Sequence, residues 1–152
     1  MQRHARISRT TRTIAIATLI AGTLDIAAAV FITLSRGGTT GGMLRGIASG
    51  PLPDATRWGL AGAAIGLAVH FAIIAAMAAV YVLAARRLAW LRRQPVTAGA
   101  LYGVVTWAVM NQLVLPLRWP GIFPQLDAVN VFTQLACHIF LVGIPIALIA
   151  RR

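Results

Sequence analysis

The chain has 152 residues, of which 59% are hydrophobic and only 11% are charged. Because soluble domains contain about 45–50% apolar and about 25% charged residues, this composition excludes a water-soluble globule or a disordered tail. The net charge is +11, and the chain contains neither lysine nor glutamate, which excludes phosphate-binding loops and EF-hands that need those residues. The composition therefore predicts a small polytopic membrane protein.

Apolar runs divide the chain into predicted spans. A helix needs about 20 apolar residues to cross a bilayer, and backbone groups in lipid must bond to one another, so each run must be helical. The predicted spans are about 13–34, 58–85, 96–117 and 128–150. We therefore predict an all-α fold, an integral membrane four-helix bundle that forms a single domain over residues 1–152.

The first predicted span has features of a secretory signal peptide. An arginine-rich start precedes an apolar run, and Ala27-Ala28-Ala29 resembles a cleavage site. However, Asp25 lies near the end of the apolar core that such a signal would need, and the apolar run continues to Ile32. We expect this segment to remain as an uncleaved membrane span.

The longest connection, between Ser35 and Arg57, starts with two glycine pairs and ends near Pro51 and Pro53. Between them, the segment 43–48 has the composition of one or two helical turns. We predict a short helix there, lying at the interface on the outer side of the membrane.

Arginine placement predicts the orientation, because short loops rich in arginine stay in the cytoplasm. Ten arginines lie near the termini and in the loop after the second span: Arg3, Arg6, Arg9, Arg12, Arg86, Arg87, Arg92, Arg93, Arg151 and Arg152. The other four are Arg36, Arg45, Arg57 and Arg118. Both termini are therefore predicted to be cytoplasmic, in a multi-pass protein of the bacterial inner membrane. The positive charge favours anionic lipid headgroups as partners over nucleic acid. A homo-oligomer or a larger membrane complex is a further partner state that the sequence leaves open.

Polar residues inside the spans are the candidate functional residues, because a charge at the centre of a span costs about 2.5–3.5 kcal/mol. Asp25, His70 and His138 lie at similar depths on three different spans. Asn111 lies about one turn further out, and Gln134 precedes His138 by four residues on the same helix face. These five residues are the candidates for an ion- or solute-binding site.

Small residues and prolines predict how the spans pack. His70 shares one helix face with Gly66, and the third span carries Gly99 and Gly103 four residues apart, so backbones are expected to approach closely at these positions. The predicted third and fourth spans each contain a proline, Pro116 and Pro145, at which we expect kinks.

Two interpretations of the polar residues stay open. They either fix helix packing in a structural or accessory subunit, or bind a proton, a metal ion or a small polar solute. His70 and His138 could ligate a metal or a b-type haem, although four glycine-packed helices offer haem little room, and we assign no cofactor. No nucleophile and base stand at a recognisable spacing, so an enzyme is the least favoured class.

Several short motifs resemble the YagU-like family of small bacterial inner-membrane proteins. They are His70-Phe71, Ala79-Val80-Tyr81, Gly99-Ala100-Leu101-Tyr102-Gly103, Met110, Pro116, the proline-rich turn and His138. The resemblance covers roughly the second half to two thirds of the chain. It implies a helical inner-membrane protein and no particular activity or site.

Overall fold

The computed structural model of the protein describes the backbone of residues 2–152 and the side chains from Arg9 onward. This part of the chain is helical and contains no β-strand. In chain order the elements are α1 (Gln2–Ser35), α2 (Thr40–Ala48), a 3-10 helix (Pro53–Arg57), α3 (Gly59–Arg87), α4 (Ala89–Arg93), α5 (Pro95–Arg118) and α6 (Ala128–Ala150).

Four of these helices are long and apolar enough to cross a membrane, which confirms the predicted number of spans. Their apolar stretches are Arg9–Ser35, Gly59–Arg87, Pro95–Arg118 and Ala128–Ala150. The helix α1 is longer than the predicted span, so Arg9 and Arg12 lie on the helix instead of before it. The side chains of Arg3 and Arg6 lie outside the described residues.

The core is built mostly from small residues where the long helices meet. The helix α1 packs against α3 and α6, and α6 packs against α5. Ala17 and Ala21 of α1 are fully buried beside Ala78 of α3 and Ala147 of α6. Most large apolar side chains instead lie on the outside of the helices, as expected when lipid replaces water around them.

Glycines allow α5 and α6 to cross in close contact. A Cβ atom on Gly103 would lie 2.5 Å from Cα of Ile139, and one on Gly99 would lie 2.7 Å from Cα of Ile144. Gly143 faces the backbone of both glycines from α6, and a Cβ there would collide with the Gly99 carbonyl oxygen. The predicted close approach at Gly99 and Gly103 is confirmed, and its partner surface is the backbone of α6.

Each proline inside the last two helices follows a π-helical turn. The turns are Val109–Val114, before Pro116, and His138–Gly143, before Pro145. Proline has no N–H group and its ring collides with the carbonyl four residues earlier in an α-helix. The wider π turn moves that carbonyl away, so the helix continues through the proline.

The short helix α2 packs against the first half of α3. The backbone of Leu44 lies so close to Gly66 that a Cβ atom on the glycine would collide with the Leu44 carbonyl. Arg118, at the end of α5, donates hydrogen bonds from Nε to the Gly50 carbonyl at 2.8 Å and from Nη2 to the Ser49 carbonyl at 2.9 Å. A helix thus occurs in the predicted segment, and its position at a membrane surface stays a prediction.

Candidate functional site

The site lies where α1, α3 and α6 meet, and a glycine on α1 makes the approach of α3 close. A Cβ atom on Gly22 would lie 2.5 Å from the Phe71 ring. Without that Cβ, the neighbouring His70 reaches the α1 backbone, and its Nε2 lies 3.0 Å from the Gly22 carbonyl oxygen. Since a carbonyl can only accept, the ring nitrogen Nε2 carries the proton of this hydrogen bond.

Asp25 is the partner of the other ring nitrogen of His70. The carboxylate oxygen Oδ2 lies 4.0 Å from Nδ1, at the limit of an ion pair. The side chain of His70 is 9% exposed and that of Asp25 is 22% exposed. With Nε2 already protonated, Nδ1 is the atom that takes up a further proton, and the resulting imidazolium would face the carboxylate.

His138 adds a second imidazole to this pair from α6. Its Nδ1 donates a hydrogen bond to the Gln134 carbonyl oxygen, one turn earlier, at 2.8 Å, which leaves Nε2 as the unprotonated ring atom. The ring interacts electrostatically with Asp25, as His70 also does. His138 is the first residue of a π turn, a feature that is frequent at functional sites.

The structure brings together three of the five predicted site residues, Asp25, His70 and His138. Asn111 is buried, and its side-chain amide donates to the Trp107 carbonyl oxygen of its own helix at 3.2 Å. Gln134 contributes its backbone carbonyl to His138. In the described part of the chain, no hydrogen bond or ion pair joins either side chain to Asp25.

The predicted metal ligands do not form a larger donor set. Among the described residues, no group of three or more His, Cys, Asp or Glu side chains is placed to hold a metal ion. His70 and His138 each use one ring nitrogen in a hydrogen bond to a backbone carbonyl. Each ring therefore keeps one free nitrogen, while most structural and catalytic zinc sites have three or four protein ligands.

Two residues of this site were not identified from the sequence. Gly22 provides the carbonyl that orients His70, and the Phe71 ring lies edge-on to the imidazole at a centroid distance of 5.3 Å. The sequence offered one indication of this contact: Gly22 lies three residues before Asp25 on an apolar helix. The sequence did not indicate which helix approaches Gly22.

No protein-family model matches this chain, no curated protein matches it, and no solved structure matches it. The resemblance to the YagU-like family therefore stays a prediction. Any conclusion about activity depends on the geometry of Asp25, His70 and His138.

Proposed function

We propose that this chain is a multi-pass membrane protein that binds a proton within the membrane, at the cluster formed by Asp25, His70 and His138. The observation that carries the proposal is the 4.0 Å separation of Asp25 Oδ2 and His70 Nδ1 inside two apolar helices. A carboxylate at this depth is costly unless a proton or a cation accompanies it. The two imidazoles provide places for that proton.

Hydrogen bonds that stay within single helices also favour binding over packing. His138 and Asn111 both bond to carbonyls of their own helices, so neither hydrogen bond holds two helices together. The contact between α5 and α6 depends instead on Gly99, Gly103 and Gly143, which need no polar partner. The contact of α6 with α5 is thus independent of the polar cluster.

A polar stripe on α6 supports a route for the proton. Asn130, Gln134 and His138 follow one another at four-residue spacing, so they lie on one helix face between the start of α6 and the cluster. Asp127, at the start of this stripe, accepts a hydrogen bond from the Asn130 backbone at 2.8 Å and caps the helix. We propose that protons reach Asp25 from this end, which would face outward if both termini are cytoplasmic.

A structural or accessory subunit is the second candidate, and one contact favours it. The hydrogen bond from His70 to the Gly22 carbonyl joins α3 to α1, as expected for a polar group that only fixes helix packing. Under this function Asp25 would serve to orient His70 and would keep one protonation state.

Infrared spectra of protein labelled with ¹³C-aspartate distinguish the two candidates. Between about pH 4 and pH 9, where carboxyl and imidazole groups titrate, the proton-binding cluster predicts a carboxyl band that is lost in Asp25→Asn and kept in Asp54→Asn. The free energy of unfolding of Asp25→Asn should also lie within about 1 kcal/mol of the wild-type value, which is the scale of one interhelical hydrogen bond. A loss of several kcal/mol, as when a buried pair loses one member, together with no Asp25 titration would support the structural subunit instead.

A further inference from the structure

A cavity of about 420 Å³ opens at the end of the bundle where both termini lie. It lies among the ends of α1, α3, α4 and α6, away from the Asp25 cluster. Among the residues whose side chains the structure describes, five arginines line it: Arg9, Arg86, Arg92, Arg151 and Arg152. We refer to these five residues as the arginine cavity.

Two of the arginines are fixed in place by hydrogen bonds. Arg86 donates from Nη1 to the Thr10 hydroxyl at 3.0 Å, which joins the end of α3 to α1. Arg92 donates from Nη1 to the Ala85 carbonyl oxygen, which joins α4 to the last turn of α3. Each guanidinium has five N–H groups, so both keep donors for a further ligand.

From Arg9 onward, where side chains are described, no acidic side chain lines the arginine cavity. Asp25 lies in the middle of α1, while Asp54 and Asp127 lie at the opposite end of the bundle. Five cations gathered around one cavity repel one another, and a bound anion reduces this repulsion. A ligand of opposite charge would therefore stabilise this end of the protein.

The chemistry of the lining identifies the kind of anion. Guanidinium groups match phosphate oxygens in a planar, two-pronged hydrogen-bonding geometry, and all the cations here are arginine. The cavity wall also includes the apolar Val82, Ala85 and Ala150, at the ends of helices whose outer surfaces are apolar. A phosphate attached to acyl chains could thus place its headgroup in the cavity and its chains along the helices.

We propose that the arginine cavity is a binding site for a phosphate group, provided by the headgroup of an anionic phospholipid. Basic pockets between membrane helices bind such headgroups when they lie at a membrane surface. The site is independent of the proton-binding cluster, so Asp25→Asn should bind the lipid as the wild type does.

The test measures binding to the detergent-purified full chain at an ionic strength of about 0.15 M, where distant surface charges are screened. Three probes are compared: a short-chain phosphatidylglycerol, the phosphatidylcholine of equal chain length, and inorganic phosphate. We expect phosphatidylglycerol to bind at one site, phosphatidylcholine to bind far more weakly, and inorganic phosphate to compete poorly. If inorganic phosphate competes at equal concentration, the cavity binds phosphate groups, but its ligand is the free anion and not a lipid headgroup.

Two double variants provide a matched comparison. Arg151→Gln/Arg152→Gln removes two cavity arginines that follow the last helix, and we expect binding to weaken by roughly 25-fold, at about fivefold for each arginine. Arg87→Gln/Arg93→Gln removes the same charge from exposed residues outside the cavity lining and should bind nearly as the wild type does. Equal losses in both variants, or no preference for phosphatidylglycerol over phosphatidylcholine, would overturn the proposal.

Discussion

His70 donates a hydrogen bond from Nε2 to the Gly22 carbonyl oxygen at 3.0 Å, and this contact determines which ring nitrogen faces Asp25. The same residue thus joins α3 to α1 and presents Nδ1 to a carboxylate 4.0 Å away. A backbone carbonyl cannot leave its helix, so the orientation of the ring persists when the side chain of Asp25 is changed. This makes Asp25→Asn an informative variant, because it changes the charge and keeps the ring in place.

The orientation of the spans is tested by labelling cysteines introduced at exposed positions in a Cys137→Ala protein. Pro51, Pro120 and Gln94 are exposed, the first two at the end of the bundle opposite the arginine cavity. Because the arginines are concentrated at the other end, an impermeant thiol reagent should label Pro51→Cys and Pro120→Cys from outside intact cells and leave Gln94→Cys unlabelled. Labelling of Gln94→Cys from outside would reverse the orientation.

Gly103→Ala tests the close crossing of α5 and α6. The added methyl would lie 2.5 Å from Cα of Ile139 and 2.6 Å from the His138 carbonyl oxygen, and backbone atoms cannot move aside cheaply. We expect the free energy of unfolding, measured in a denaturing detergent titration, to fall by about 1–3 kcal/mol, the usual cost of overpacking.

The matched control for Gly103→Ala is Gly46→Ala in α2, where nothing lies within 4 Å of the added methyl. There the free energy of unfolding should stay the same or rise slightly, because alanine favours helix more than glycine does. If Gly46→Ala and Gly103→Ala were equally destabilised, the crossing would not depend on the missing Cβ.

Arg118→Gln tests how α2 is held. The guanidinium stabilises the carbonyl end of α2 through its bonds to Ser49 and Gly50, and it complements the negative end of the helix dipole. Hydrogen exchange of the backbone amides of residues 43–50 should accelerate, with the local free energy of opening lowered by about 1–3 kcal/mol. Arg57→Gln, at an exposed arginine, should leave this exchange unchanged.

The sequence allowed the helices to be predicted more fully than their contacts. Long apolar runs were sufficient to place the four spans, and the spacing of Gly99 and Gly103 predicted a close crossing. Hydropathy measures apolar length instead of helicity, so it missed the extension of α1 to Gln2. Gly143 takes part in the same crossing because of how α5 and α6 meet. The sequence of one helix alone does not show this contact.

The candidate site was predictable in part for the same reason. Asp25, His70 and His138 could be chosen because charged and polar groups are rare in apolar helices. The contact of His70 with Gly22 joins residues 48 positions apart, so it follows from tertiary packing alone. The π turn that begins at His138 arises from Pro145 seven residues later, and a regular helical repeat does not anticipate it.

The titration of the histidine rings reports whether Asp25, His70 and His138 share protons. Nuclear magnetic resonance of ¹⁵N-histidine protein, assigned by single substitutions, follows each ring against pH in the wild type and in Asp25→Asn. A shared proton-binding cluster predicts that the rings of His70 and His138 both titrate and that both titration curves change when the Asp25 charge is removed. Titration curves that are identical in the two proteins, or rings that keep one protonation state throughout, would contradict it.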